Sequence, residues 1–122
     1  MPKLLDFTSS NADQTPSFVV TSGMLAKDPF PAMFSLATCK GGQYNLARSL
    51  HKEFEPKGVH CALVIVGGAV KDESEVTNAR NIAEETWKVL KYPKHNGTFE
   101  TILQDPAYLE HIKNREVRSA GL

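Results

Sequence analysis

The sequence carries no net charge, because fourteen Lys and Arg residues balance fourteen Asp and Glu. Without a basic excess there is no broad positive field of the kind that captures nucleic acid or an anionic membrane, so polyanionic partners are disfavoured. Cysteine is scarce: Cys39 and Cys61 stand alone in 122 residues. Both sit in apolar segments, where reduced, buried thiols are the expectation and a disulfide framework is not. No apolar run approaches the length of a membrane span, and the opening residues Met1 to Phe7 lack the apolar stretch of a signal peptide. A soluble, cytoplasmic protein is the resulting expectation. Histidine is sparse as well, and His51, His60, His95 and His111 include no pair three or four residues apart. That spacing offers no metal site on a helix face and leaves the four as surface or packed residues.

What the chain does contain suits one domain. Hydrophobic residues make up 41% of it and charged residues 23%, a balance that lets a chain of this length bury a single core. Residues 1–16 read as a helix end followed by a polar, turn-forming loop. Ser17 to Ser22 is rich in Phe and Val and bounded by Pro16 and Gly23, which predicts a strand. Pro31 suits the first turn of a helix, and Phe34, Ala37, Leu46, Ala47, Leu50 and Phe54 recur at three- and four-residue intervals up to Glu55. The next segment, Val59 to Val66, is apolar at nearly every position, the pattern of a parallel strand covered on both faces. A strand, a long helix and a second such strand predict a βαβ unit. Beyond it, 67–76 reads as an exposed, mobile loop and 78–92 as an amphipathic helix with Trp87 anchoring one edge. Pro93 to Gly97 reads as a stop, 98–103 as a strand interrupted by Glu100, and 105–115 as a polar closing helix before a disordered tail. Asn96-Gly97-Thr98 matches a glycosylation acceptor but reads more simply as a turn.

Three stretches bear a stronger likeness: Val19-Val20-Thr21-Ser22-Gly23, then Lys40 followed by Asn45-Leu46-Ala47-Arg48-Ser49-Leu50, then Glu53-Phe54-Glu55-Pro56-Lys57-Gly58-Val59. In order and spacing, residues 17–103 resemble the C-terminal half of the short-chain dehydrogenase/reductase family. The resemblance implies a partial Rossmann-like α/β fold of three layers, a parallel sheet flanked by helices, over residues 17–104, with 105–122 as a closing helix and tail. It aligns Ser22 with the family's catalytic serine and Lys40 with the lysine of its Tyr-x-x-x-Lys motif. There, lysine one helical turn from tyrosine lowers the phenol's pKa, near ~10 unperturbed, so that the phenol can protonate a carbonyl receiving hydride. Lys40, Gly67, Ala69 and Val70 match positions that touch the nicotinamide cofactor in that family.

Two departures accompany the likeness. The tyrosine position is Leu36, which has no proton to give, and Tyr44 lies one turn to the other side of Lys40, where packing into the helix is its expected role. No Gly-x-x-x-Gly-x-Gly or Gly-x-Gly-x-x-Gly turn occurs, so the helix N-terminus that seats a pyrophosphate is missing, and NAD(P) binding by the isolated chain is expected to be weak or absent. The leading expectation is a truncated, catalytically silent relative acting as a homodimer or with a related subunit. The alternatives are an NAD(P)-dependent oxidoreductase of a small carbonyl or alcohol substrate using Ser22 and Lys40, and a fragment of an interrupted reading frame.

Overall fold

Val59 to Val66 is apolar throughout because the strand it enters is covered on both sides, with Val59, Leu63, Val64 and Ile65 wholly buried. The computed structural model describes residues 1–10, 15–91 and 98–120. Strands β1 (Ser17–Gly23), β2 (His60–Gly67) and β3 (Glu100–Gln104) form one parallel sheet in the order β1-β2-β3. Among the described residues four helices accompany them: α1 (Pro2–Ser10), α2 (Phe34–Phe54), α3 (Ala79–Lys91) and α4 (Pro106–Ala120).

Side-chain alternation along the strands divides the core in two. On one face Ala62 and Val64 of β2 and Leu103 of β3 pack with Val89 of α3, joined by Val19, Val76 and Ile82. On the other, Leu63 and Ile65 receive Ala47 of α2, with Val20, Met24, Tyr44 and Phe99 around them. Ala47 is small at the point where α2 meets β2, so helix and sheet approach closely. The βαβ unit expected from the sequence is therefore present, its crossover helix lying on the face that carries Val20.

Local chemistry sets the ends of the elements. Pro31 opens a 3-10 turn, Pro31–Met33, that leads into α2, and a second 3-10 turn, Glu55–Lys57, closes it. Gly58 follows at φ 89°, a left-handed conformation that a side chain would strain. Asn78 caps α3 by accepting the Asn81 N–H at 2.8 Å. Asp105 caps α4 by accepting the Ala107 N–H at 3.1 Å, with Pro106 in the first turn where no donor is needed.

Several expectations change. Cys39 is exposed, because its position on α2 lies off the stripe that meets the sheet, while Cys61 on β2 is buried as expected. Trp87 is 61% exposed, so most of its ring lies outside the core. Segment 67–76 is not simply an exposed loop: Ser74 is buried, and Thr77 just after it is fully so. Thr77 Oγ1 lies 2.8 Å from the Ala69 carbonyl, to which it donates, and 2.9 Å from Ser74 Oγ. Ser74 Oγ in turn accepts the Thr77 N–H at 2.9 Å. Polar side chains thus pin both ends of the loop beneath its charged crown. Helix α4 continues to Ala120, beyond the predicted 115. The predicted stop at Pro93 to Gly97, and most of the Asn96–Thr98 turn, lie outside the described residues.

Candidate functional site

Ser22 is the penultimate residue of β1 and pairs in register with Ile65. Alternation from Val20 places its side chain on the α2 face, and its Oγ is buried without a hydrogen-bond partner among the described residues. From there the chain makes a 3-10 turn, Met24–Ala26, that packs against α2, and it enters the helix at the same C-terminal rim of the sheet. Lys40 follows in the second turn of α2. It is half-buried and shares the helix stripe of Ala37, Tyr44 and Ala47, which faces the sheet. Ser22 thus lies near the C-terminal end of β1 on the face that α2 covers, and Lys40 lies in the second turn of α2.

Leu36 holds the position one turn before Lys40, and its side chain is 43% exposed. A leucine there offers neither donor nor acceptor. Tyr44, one turn the other way, is engaged elsewhere. Its phenol donates to Glu100 Oε2 at 3.1 Å, and its ring packs edge-on against Phe99 with centroids 5.6 Å apart. Both partners belong to the β3 side of the sheet, whereas Ser22 lies on β1 at the opposite edge. Tyr44 therefore holds helix to sheet and is turned away from the serine.

Gly67, the glycine matched to a cofactor contact, is taken up by the chain's own packing, as is its neighbour Gly68. A Cβ on Gly67 would stand 3.0 Å from Met24 Cγ and 3.2 Å from Gln104 Cγ. Gly68, at φ 137°, has Asp105 Cβ 2.9 Å from where its own Cβ would be. Ala69 and Val70 are exposed. A nicotinamide would supply hydride chemistry when bound, but the residues present fit it only in part. Lys40, Ala69 and Val70 are within reach of solvent, Gly67 is sealed by Met24, and the sequence has no glycine-rich turn for the phosphates. Among the described residues no group of three or more His, Cys, Asp and Glu could hold a metal ion, and no helix is long and apolar enough to cross a membrane.

Two ion pairs that hold the segment after β1 have no signal in the sequence. Lys27 Nζ meets Glu100 Oε1 at 2.6 Å, and the adjacent Asp28 Oδ2 accepts from Arg115 Nη2 at 3.0 Å. Their partners lie 73 and 87 residues away, so no local pattern announces them. Glu100, which seemed to weaken β3 in the sequence, is the acceptor for both Lys27 and Tyr44. Between the 3-10 turn and the start of α2 lies an apolar groove of about 290 Å³, lined by Leu25, Ala26, Pro29, Phe30, Phe34 and Ala37 among others.

No protein-family model matches this sequence, and no curated protein does. Among solved structures the chain is similar to a short-chain dehydrogenase from Rhodopseudomonas palustris, with a TM-score of 0.61 and 22% sequence identity over 76% of this chain. The match takes in 40% of that dehydrogenase, so this chain spans well under half of its length. With three parallel strands flanked by helices and this structural neighbour, the chain has the Rossmann-like α/β fold of a short-chain dehydrogenase.

Proposed function

We propose that the chain is a dehydrogenase-fold module without turnover of its own, which acts by associating with a second copy or with a related dehydrogenase-fold subunit. The observation that carries this reading is Leu36. Ser22 and Lys40 keep the residue types that the resemblance expects, but the side chain one turn before Lys40, where a proton would be delivered, is an aliphatic one. Orientation of an acid against the carbonyl oxygen contributes orders of magnitude to rate, and Tyr44 is committed to Glu100 of β3. Association is supported by β1, which pairs with β2 on one side and has no strand on the other among the described residues. Its seven residues carry no charge and include the exposed Phe18, and α2 adds the exposed Phe34 and Leu46. Uncharged edges of this kind template further pairing.

A second reading, an oxidoreductase of small carbonyl or alcohol substrates working through Ser22 and Lys40, draws support from the buried, unpartnered Ser22 hydroxyl. Nicotinamide fluorescence during titration of NADH and NADPH separates the two. The first reading expects no saturable signal up to millimolar cofactor and an assembly larger than one chain by light scattering. Saturable binding that is lost in Lys40→Met, with reduction of a carbonyl that is lost in Ser22→Ala, would establish the second.

A further inference from the structure

We propose that the segment Met24–Met33 is a lid at the C-terminal end of β1 and that helix α4 is its latch, closed by the Asp28–Arg115 ion pair and the stacking of Arg115 on Phe30. The segment is the chain that joins Ser22 to α2, so its position decides access to everything between them. Its own backbone hydrogen bonds are few: Lys27 and Asp28 N–H donate to the Met24 carbonyl at 2.9 and 2.7 Å, and Met33 N–H to Phe30 at 2.8 Å. Three tertiary anchors supplement them. Met24 rests on Gly67, within 3.0 Å of where a Cβ would be. Lys27 reaches Glu100 at 2.6 Å and lies over the Tyr44 ring at 5.8 Å. Arg115 donates to Asp28 at 3.0 Å while its guanidinium sits 4.7 Å from the centroid of Phe30.

The third anchor is the one that can release. Met24 and Lys27 bind the lid to the sheet, but Arg115 belongs to α4, whose first turn is fixed by the Asp105 cap. Between Pro106 and Arg115 the less exposed positions are Tyr108, Ile112 and Arg115, spaced four and three apart on one stripe of the helix, and Arg115 of that stripe meets the lid. Tyr108 shares the cluster, its phenol pushed up by burial and by the Asp28 carboxylate and drawn down by Arg115. Phe30, the residue held under the guanidinium, is also a wall of the apolar groove. Loss of the ion pair therefore frees a groove wall without unfolding the sheet. The latch works in the same way whether the rim turns over a substrate or only binds a partner.

Hydrogen–deuterium exchange of residues 24–34, read by mass spectrometry, tests the latch. Asp28→Asn and Arg115→Met are each expected to raise exchange in this segment about fivefold, the yield of a partly exposed ion pair, while β2 stays protected. The exchanged pair Asp28→Arg with Arg115→Asp is expected to bring exchange back toward the parent rate. In the unmodified chain, exchange in the segment is expected to rise as NaCl goes from about 20 mM to about 500 mM, since salt screens the pair. Single variants with parental exchange, a swap that fails to restore protection, or rates indifferent to salt would each overturn the proposal.

Discussion

The carboxylate of Glu55 meets His51, His60 and the Cys61 amide at one junction, and its removal gives a prediction of defined size. It sits at the junction where α2 hands over to β2. There it lies 3.0 and 3.2 Å, through its two oxygens, from His60 Nδ1 and accepts the Cys61 N–H at 3.2 Å. His51 Nδ1 is 3.3 Å from the same carboxylate and 2.8 Å from the Cys61 carbonyl. His60 is 1% exposed, and because an ionised carboxylate only accepts, its Nδ1 carries the proton. Glu55→Ala leaves that donor buried and unpaired, at about 1–3 kcal/mol, and removes the partner of the Cys61 amide, at about 1 kcal/mol more. A change of tautomer gives no relief, since His60 Nε2 is also buried with no partner among the described residues. The expected loss is therefore about 2–4 kcal/mol, measured by urea denaturation at neutral pH as a fall in midpoint with the slope retained. Glu53→Ala is the control. Glu53 pairs with Lys57 one turn along the helix, but both side chains are more than half exposed, so the change is expected to stay within about 0.5 kcal/mol. A Glu55→Ala loss no larger than the control would refute the assignment of Glu55 as the hub.

Other outcomes follow from single residues. Gly68→Ala forces a side chain into φ 137° and against Asp105 Cβ, and is expected to lower stability by about 2 kcal/mol or more in the same urea assay, whereas Gly42→Ala, with open space around it, is expected to be neutral or mildly stabilising. Burial, with a smaller contribution from Glu55, pushes the Cys61 thiol from 9.0 up to about 11 against the opposing N-terminal ammonium. The folded thiol then keeps its proton where the unfolded one has lost it. Stability should accordingly fall as pH rises from 9 to 11, by up to about 3 kcal/mol, and Cys61→Ala measured in reductant should lack that part of the fall. In the native chain at mildly alkaline pH a thiol reagent is expected to modify the exposed Cys39 promptly and Cys61 only as the protein opens; equal rates would contradict the burial of β2.

The strands and their parallel pairing were legible because each rests on a local pattern. An unbroken apolar run such as Val59 to Val66 has few ways to be covered other than from both faces, and a long helix with a three- and four-residue stripe is the covering that such a strand needs. Ser22 and Lys40 were named through the resemblance of their flanking segments to a known family rather than through any periodicity. Cys39 and Trp87 were misjudged because apolar character in the sequence does not say which side of a helix meets the sheet. Glu100 read as an interruption for want of the lysine and tyrosine that hold it.

Sequence alone thus determined the order of the elements and the parallel sheet, which follow from an unbroken apolar run and a helical stripe acting along neighbouring residues. Tertiary structure alone decided that Tyr44 turns toward β3, that Gly67 closes against Met24, and that Lys27 and Asp28 reach Glu100 and Arg115. Those contacts join residues scores of positions apart, and only the closing of the chain on itself brings their charges and surfaces within range.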